Sequence, residues 1–297
     1  MSDTESSSSE GSVERFDDSD HYSDDDTEDC ITASIETAHF RSILQCFNEI
    51  AKYTFFYFDE YGMIMFPQDI FDGDVKKTKK KEDESKSYHE PRVVCHFDKE
   101  NIHYNYDMPT DNVFISFVTK DIIQEIKQYG KKETLILKID KKDPTVINFT
   151  TNQQSTTLSN MTTINGNSVV DSIYEPLEVD NLANVTMNLI CNVTDYKRIL
   201  GGIGTGTAKS HIECTFSIKK LGFIIESKTG NRSQTYTLGK AQLNDKLIKE
   251  YRWSRSTINA LKKLQSCDGN CALSYRDDES FTIERKIVNI GTVTFLF

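Results

Sequence analysis

The strongest constraint on the fold is a repeat within the chain. HFRSILQCFNEIAKY places Phe40, Ile43, Leu44, Phe47 and Ile50 on one helix face, and FFYFDEYGMIMF then alternates around a turn at Gly62. The same order returns in DYKRILGGIG followed by CTFSIKKLGFIIES, with its turn at Gly222. Aligning the two turns pairs Phe56 with Phe216 and Phe58 with Ile218. A second helix–strand unit follows each of these. In KDIIQEIKQYGKKETLILKI the inward residues are Ile122, Ile123 and Ile126, and in STINALKKLQSCDGNCALSY they are Ile258, Leu261 and Leu264. A helix with one apolar stripe cannot bury it alone, and short alternating strands pair readily as antiparallel neighbours. The pattern therefore predicts an α+β duplication: two similar domains, each with two helices packed on antiparallel sheets.

Charge divides the chain unevenly. It carries 35 Lys+Arg against 46 Asp+Glu, a net charge of −11. Residues 1–30 hold 12 acids and one base, Arg15, so the whole net charge lies there and the rest is neutral. Residues 1–33 are expected to form a disordered acidic tail, having too little apolar surface to offset the entropy of ordering. Ser19, Ser23 and Thr27 suit an acid-directed kinase, and the tail can equally serve only to solubilise. A second break, the Lys-rich loop 73–90, has five lysines in six positions from Lys76 to Lys81. It reads as a solvated loop, a phosphate-contacting loop or a nuclear import signal. A third break is polar and then acidic–apolar (SVVDSIYEPLEVDNL), and places an interdomain connecting loop at 165–186 between domains at 34–164 and 187–297.

Several classes of function are disfavoured. No apolar run approaches the roughly 20 residues of a membrane span, and the start of the chain does not read as a secretory signal. The expectation is a soluble intracellular protein. Seven scattered cysteines suit a reducing compartment; Cys267 and Cys271 have no second pair or nearby histidine, so no metal and no cofactor is expected. GGIGTGTAKS suggests a phosphate loop but fails it. Glycine is needed six and one residues before Lys209, where Ile203 and Ala208 stand. The glycines read instead as the end of a helix. With no nucleophile context either, an enzyme is not expected.

The polar faces of the four helices carry a shared bias. The first has Arg41, Gln45, Asn48 and Lys52, and the second Lys120, Gln124, Lys127 and Lys131. The third begins with Lys197 and Arg198, with Lys209 beyond its glycines; the fourth has Arg255, Asn259, Lys262 and Ser266, with Lys263 beside them. One such helix is what most surface helices show. Four in a duplicated frame suggest a surface that tracks phosphates, and no base-reading set accompanies them.

FRSILQCFNEI then FDEYGMIMF, KDIIQEIKQYGKKETLILKI, DYKRILGGIG then FSIKKLGFIIES, and STINALKKLQSC then FTIERKIVNIGTVTFLF, in that order, resemble the sliding-clamp family of proliferating cell nuclear antigen and its viral relatives. The resemblance spans about residues 34–297. It implies a duplicated DNA-clamp (processivity) fold, with helices lining a ring and sheets outside. It further implies a non-enzymatic DNA polymerase processivity factor that holds double-stranded DNA without reading sequence and tethers replication and repair partners. A homotrimer is implied, with dimer or monomer as variants, and a clamp loader can belong to the system. The family's channel positions fall on Arg41, Lys127, Lys197 or Arg198, and Lys263. Its partner-peptide site falls near Ile173, Leu177, Val179, Leu296 and Phe297, although the linker residues can equally just pin the loop to the sheet. Asn48 and Gln124 stand where lysine would be expected, and the chain stops at Phe297, within or just after the last strand. By analogy the appended tail suggests a large DNA virus, and action in the nucleus or at a cytoplasmic viral replication site. The competing reading is a viral transcription or scaffold factor that keeps the clamp fold without DNA sliding.

Overall fold

A computed structural model describes residues 30–69, 88–108, 112–151, 162–165, 167–168, 184–203 and 212–297. The acidic tail before Cys30, the lysine run Lys76–Lys81, Lys209, and the linker residues Ile173, Leu177 and Val179 lie outside the described residues.

The first half runs β1 (Cys30–Glu36), α1 (Thr37–Ile50), β2 (Tyr53–Asp59), β3 (Gly62–Gln68), β4 (Arg92–Phe97), β5 (Asn105–Tyr106) and β6 (Asn112–Val118). It continues with α2 (Thr119–Glu125), β7 (Thr134–Asp140), β8 (Asp143–Thr151), β9 (Thr162–Asn165) and β10 (Asn167–Ser168). The second half runs β11 (Val185–Cys191), α3 (Val193–Gly202), β12 (Ile212–Lys219), β13 (Gly222–Thr229), β14 (Arg232–Gly239) and β15 (Leu247–Trp253). It ends with α4 (Arg255–Lys263), β16 (Cys271–Arg276), β17 (Phe281–Ile287) and β18 (Gly291–Leu296). This is the expected α+β duplication, with every strand pairing antiparallel.

Three sheets result, in the orders β5-β1-β7-β8-β9, β14-β13-β12-β15 and β10-β6-β2-β3-β4-β18-β17-β16-β11. The nine-stranded sheet joins the halves, because the last strand of the chain pairs with β4 from Gly291↔Phe97 to Leu296↔Arg92. Glycine is required at position 291: its φ is 151°, and a Cβ there would stand 2.1 Å from the His96 carbonyl oxygen.

The helices form one layer in the order α2, α1, α4, α3. Phe40, Ile43, Leu44 and Phe47 of α1 are fully buried, as the periodicity predicts, and each such side chain contributes roughly 1.5–3 kcal/mol by leaving water. Helix starts are satisfied differently in the two halves. Asn192 accepts from the Asp195 N–H at 2.8 Å to cap α3, and Ser254 accepts from the Thr257 N–H at 3.1 Å to cap α4. α1 has no side-chain cap; its Thr37 and Ala38 N–H groups instead donate to the carbonyls of Glu133 and Lys131, at 3.0 and 3.2 Å.

Four boundaries differ from expectation; the first is that β10 and the first residues of β11 fall within the connecting loop expected at 165–186. β1 starts at Cys30, so residues 30–33, assigned to the tail, belong to the body; Ile31 and Ala33 are fully buried against β7. α1 ends at Ile50, which leaves Lys52 in the turn beyond it. α2 tightens into a 3₁₀ turn at Ile126–Gln128 and stops, so Lys131 lies in a turn and not on a helix. The stop has a cause in packing: Tyr129 turns inward, where its hydroxyl donates to the Phe149 carbonyl at 2.8 Å.

Candidate nucleic-acid interface

The helix layer presents its polar side away from the sheets. Across α1, α2 with its 3₁₀ turn, α3, and α4 with its own 3₁₀ turn (Leu264–Ser266), bases outnumber acids eight to four. The bases are Arg41, Lys120, Lys127, Lys197, Arg198, Arg255, Lys262 and Lys263; the acids are Glu49, Asp121, Glu125 and Asp195. The helices as a group are thus cationic although the body is neutral.

The cations are not equivalent. Arg41 is half-buried and donates to the carbonyls of Ile126 and Tyr129 at 2.7 and 3.0 Å, so it closes the end of the α2 segment and does not project outward. Lys262 donates from Nζ to the Ile203 carbonyl at 2.6 Å, just past the end of α3; desolvation holds its pKa below the ordinary lysine value. Both were expected to face phosphate, and both serve packing, because each donates to carbonyls at the end of a neighbouring helix.

A second group pairs with acids. Lys263 lies 3.5 Å from Glu49, which also accepts from Asn259 at 3.3 Å. Arg198 pairs with Asp195 at 3.0 Å, and Lys197 lies 4.0 Å from Asp268. The Arg198 side chain is 71% exposed. Pairs this open are worth about 0–1 kcal/mol and exchange readily for a phosphate. The Asp195 pairing was legible as an i, i+3 spacing, whereas Asp268 comes from the turn after α4 and gave no signal in sequence.

A third group is open. The side chains of Lys120, Lys127 and Lys131 are exposed and make no hydrogen bond or ion pair among the described residues. Lys132, beside Lys131, is also exposed and was not singled out from sequence. Arg255, at the start of α4, is also exposed but has a partner and falls outside this group. Lys52 sits 4.8 Å over the Tyr53 ring, while its backbone N–H donates to Asp69 at 2.8 Å. The α2 end of the layer is therefore its most available cationic surface.

Of the expected peptide site, only Leu296 and Phe297 are described, and both are half-buried. The backbone of Phe297 exchanges hydrogen bonds with Phe281 at 2.9 and 3.2 Å, and its ring stacks on Trp253 at 5.7 Å. Phe297 thus continues the last strand and packs against the aromatic core of the second half.

Two similar halves, with antiparallel sheets backing a single layer of four helices, define the duplicated sliding-clamp fold. It is the fold of proliferating cell nuclear antigen: the crystal structure of that protein from Entamoeba histolytica superposes with a TM-score of 0.62, covering 90% of this chain and 97% of that chain at 14% identity. No protein-family model and no curated protein matches the chain.

Proposed function

We propose that copies of this chain close into a ring around duplex DNA, with the helix layer facing the phosphates, and that the ring tethers a polymerase and other partners to the template. The observation that carries this reading is the helix layer itself: four helices side by side, cationic on the side away from the sheets, with no base-reading set. The likeness to a proliferating cell nuclear antigen supports it.

The chain also contains a template for ring closure. Within it, β4 pairs with β18 and so joins the first half to the second. The duplication gives β14 and β9 the matching positions, and each ends its sheet. Pairing β14 of one copy with β9 of the next repeats the internal joint head to tail, the kind of contact that generates rings. A homotrimer is the reading this favours, with the connecting loop receiving partner peptides and a clamp loader opening the ring.

Weak contacts suit such a device. A few open lysines per copy bind phosphate loosely enough to slide, and encirclement supplies the residence time. The test combines light scattering with retention on DNA. A ring has three times the chain mass, stays on nicked circular DNA at salt concentrations that abolish direct binding, and is lost once the circle is cut. A monomer retained equally on linear and circular DNA would sink the proposal and favour the scaffold alternative.

A further inference from the structure

The duplication makes each strand a control for its counterpart. β1 and β11 open the two halves, and each leads into its half's first helix. β1 is covered on both edges. One neighbour is β7; the other is the segment Ile102–Asp107. Along that segment Ile31 pairs with Tyr106, the Ser34 N–H donates to the Ile102 carbonyl at 2.7 Å, and the Asp107 N–H donates to the Cys30 carbonyl at 3.1 Å. The covering segment alternates: Ile102 and Tyr104 are buried and Tyr106 half-buried, while His103, Asn105 and Asp107 are exposed.

Among the described residues, β11 pairs with β16 alone and ends the nine-stranded sheet. The connection that could cover it, residues 240–246 between β14 and β15, is half as long as residues 98–111 between β4 and β6. Among the described residues, no backbone hydrogen bond reaches the far edge of Val185–Cys191. An uncovered strand edge is a template for another strand.

The surroundings say what kind. Ile190 is 66% exposed on this strand. Leu189 lies beside Gly239, which sets the turns at the end of the β12–β15 sheet against this edge strand. Those turns are tied together: the Lys240 N–H donates to the Leu221 carbonyl at 3.0 Å, and Lys219 Nζ donates to the Asp245 carbonyl at 3.0 Å. They expose Leu221, Leu243 and Leu247, and they carry Lys219, Lys220, Lys240 and Lys246 against the single acid Asp245. The site is thus an open backbone edge flanked by aliphatic side chains and lysines.

We propose that the open edge of β11 receives an extended segment of a partner protein, added antiparallel, with apolar residues at alternate positions and acidic residues between them. Main-chain hydrogen bonds supply affinity, and the lysines select acidic partners. The bound segment reproduces on β11 the cover that Ile102–Asp107 gives β1. This inference does not depend on DNA binding.

The test uses the full chain and the synthetic peptide DIEYEYD, which keeps the spacing of Ile102, Tyr104 and Tyr106 and puts acids between them. Alternate amides of residues 185–191 should exchange hydrogen quickly in the protein alone, and slow by about tenfold or more when the peptide is added. Ile190→Asp, and Lys220→Glu with Lys240→Glu, should each weaken peptide binding without lowering the melting temperature, since all three residues are exposed. Three results would overturn the proposal. Protection already present at every protein concentration would mean that the chain covers its own edge. Protection rising with protein concentration would mean a second copy does. Unchanged exchange with saturating peptide would mean the edge takes no strand.

Discussion

The two halves share a chain trace and differ in what fills it. The first core is built on phenylalanine: Phe40 of α1 meets Phe56 and Phe149 at 6.5 and 6.1 Å, and Phe56 meets Phe117 edge-on at 5.5 Å. In the second, α3 contributes only Tyr196, Ile199 and Leu200 as buried residues, and the rings gather on the sheets, with Phe216 and Phe281 at 4.4 Å. Between helix and rings lies a cavity of about 30 Å³ whose lining includes Cys191, Tyr196, Leu200, Trp253 and Cys271. Polar groups diverge as well. After the 3₁₀ turns that follow α2 and α4, the matching carbonyls of Tyr129 and Cys267 are each held by an arginine. In the first half it is Arg41 from a helix; in the second it is Arg285 from β17, fully buried, also donating to Gly269 and lying 4.8 Å over the Tyr196 ring. What a duplicated fold retains is the requirement, here an acceptor to be satisfied and a volume to be filled. The residue that meets it is free to change, and to come from another element.

The largest effect should come from breaking the arginine comparison. Arg285→Ala strips the buried Cys267 carbonyl and the half-buried Gly269 carbonyl of their donor, and should cost about 2–5 kcal/mol. Arg41 itself is half-buried, so in Arg41→Ala water can take its place at the Ile126 and Tyr129 carbonyls, and the loss should be about 1 kcal/mol. Urea unfolding measures both; equal losses would mean that the two arginines do the same work.

Alkaline titration sharpens the contrast. Burial raises the Tyr251 phenol to about 12 and lifts Tyr196 well above its ordinary value; Tyr104 in the first half is raised too, with burial the main cause. A raised native pKa means that the neutral phenol is favoured by folding. The stability it contributes is complete below the unfolded value of about 10 and is lost as pH climbs through the native value. With two such phenols, the second half should loosen first above about pH 11. The fluorescence of Trp253, the chain's one tryptophan, reports that half directly. Phenolate absorbance should show the three buried phenols silent until the fluorescence changes.

The third comparison sets the open cations of the first half against the paired ones of the second. Lys120→Ala with Lys127→Ala should flatten the log–log salt dependence of DNA affinity by about 0.9 per lost phosphate contact. Lys197→Ala with Lys263→Ala should flatten it less, because those lysines surrender an ion pair to reach DNA. A reversed order would move the principal contact to the second half.

The smallest effect concerns the cavity. Cys191→Val adds about one methyl group against it and should stabilise the protein by up to about 0.8 kcal/mol. Destabilisation of similar size would show that the second core is already full.

Much of the frame was legible in sequence because it depends on neighbours. The i, i+3, i+4 stripe of α1 is buried where expected, except that Ile50 is half-buried; both turns fall at Gly62 and Gly222; and the aligned pairs Phe56 with Phe216 and Phe58 with Ile218 are all fully buried. The double glycine does end a helix. At Gly202 a Cβ would collide with the Tyr236 hydroxyl from β14, so glycine there admits a neighbour as well as closing the turn. The tail boundary was less legible. The acidic composition extends to Asp29, directly against Cys30, and composition gives no sign that the next three residues pair with a strand about a hundred positions away.

Periodicity and turn chemistry act over a few residues, so they set the elements, their inward faces and the duplication before any long-range contact forms. The job of each charged side chain depends on partners that no local pattern reveals. Arg41 meets a carbonyl 85 positions away, and Lys262 one 59 positions away. The same basic stripes therefore contained cations for packing and cations for solvent, with nothing in their spacing to separate them. Only the assembled helix layer sorts them, because a buried carbonyl without a donor costs more than an exposed lysine without an anion. The joint of β18 to β4 belongs to the same class. Either strand alone is an ordinary alternating segment, and which edges meet is decided when both halves have packed and two uncovered backbones come within reach.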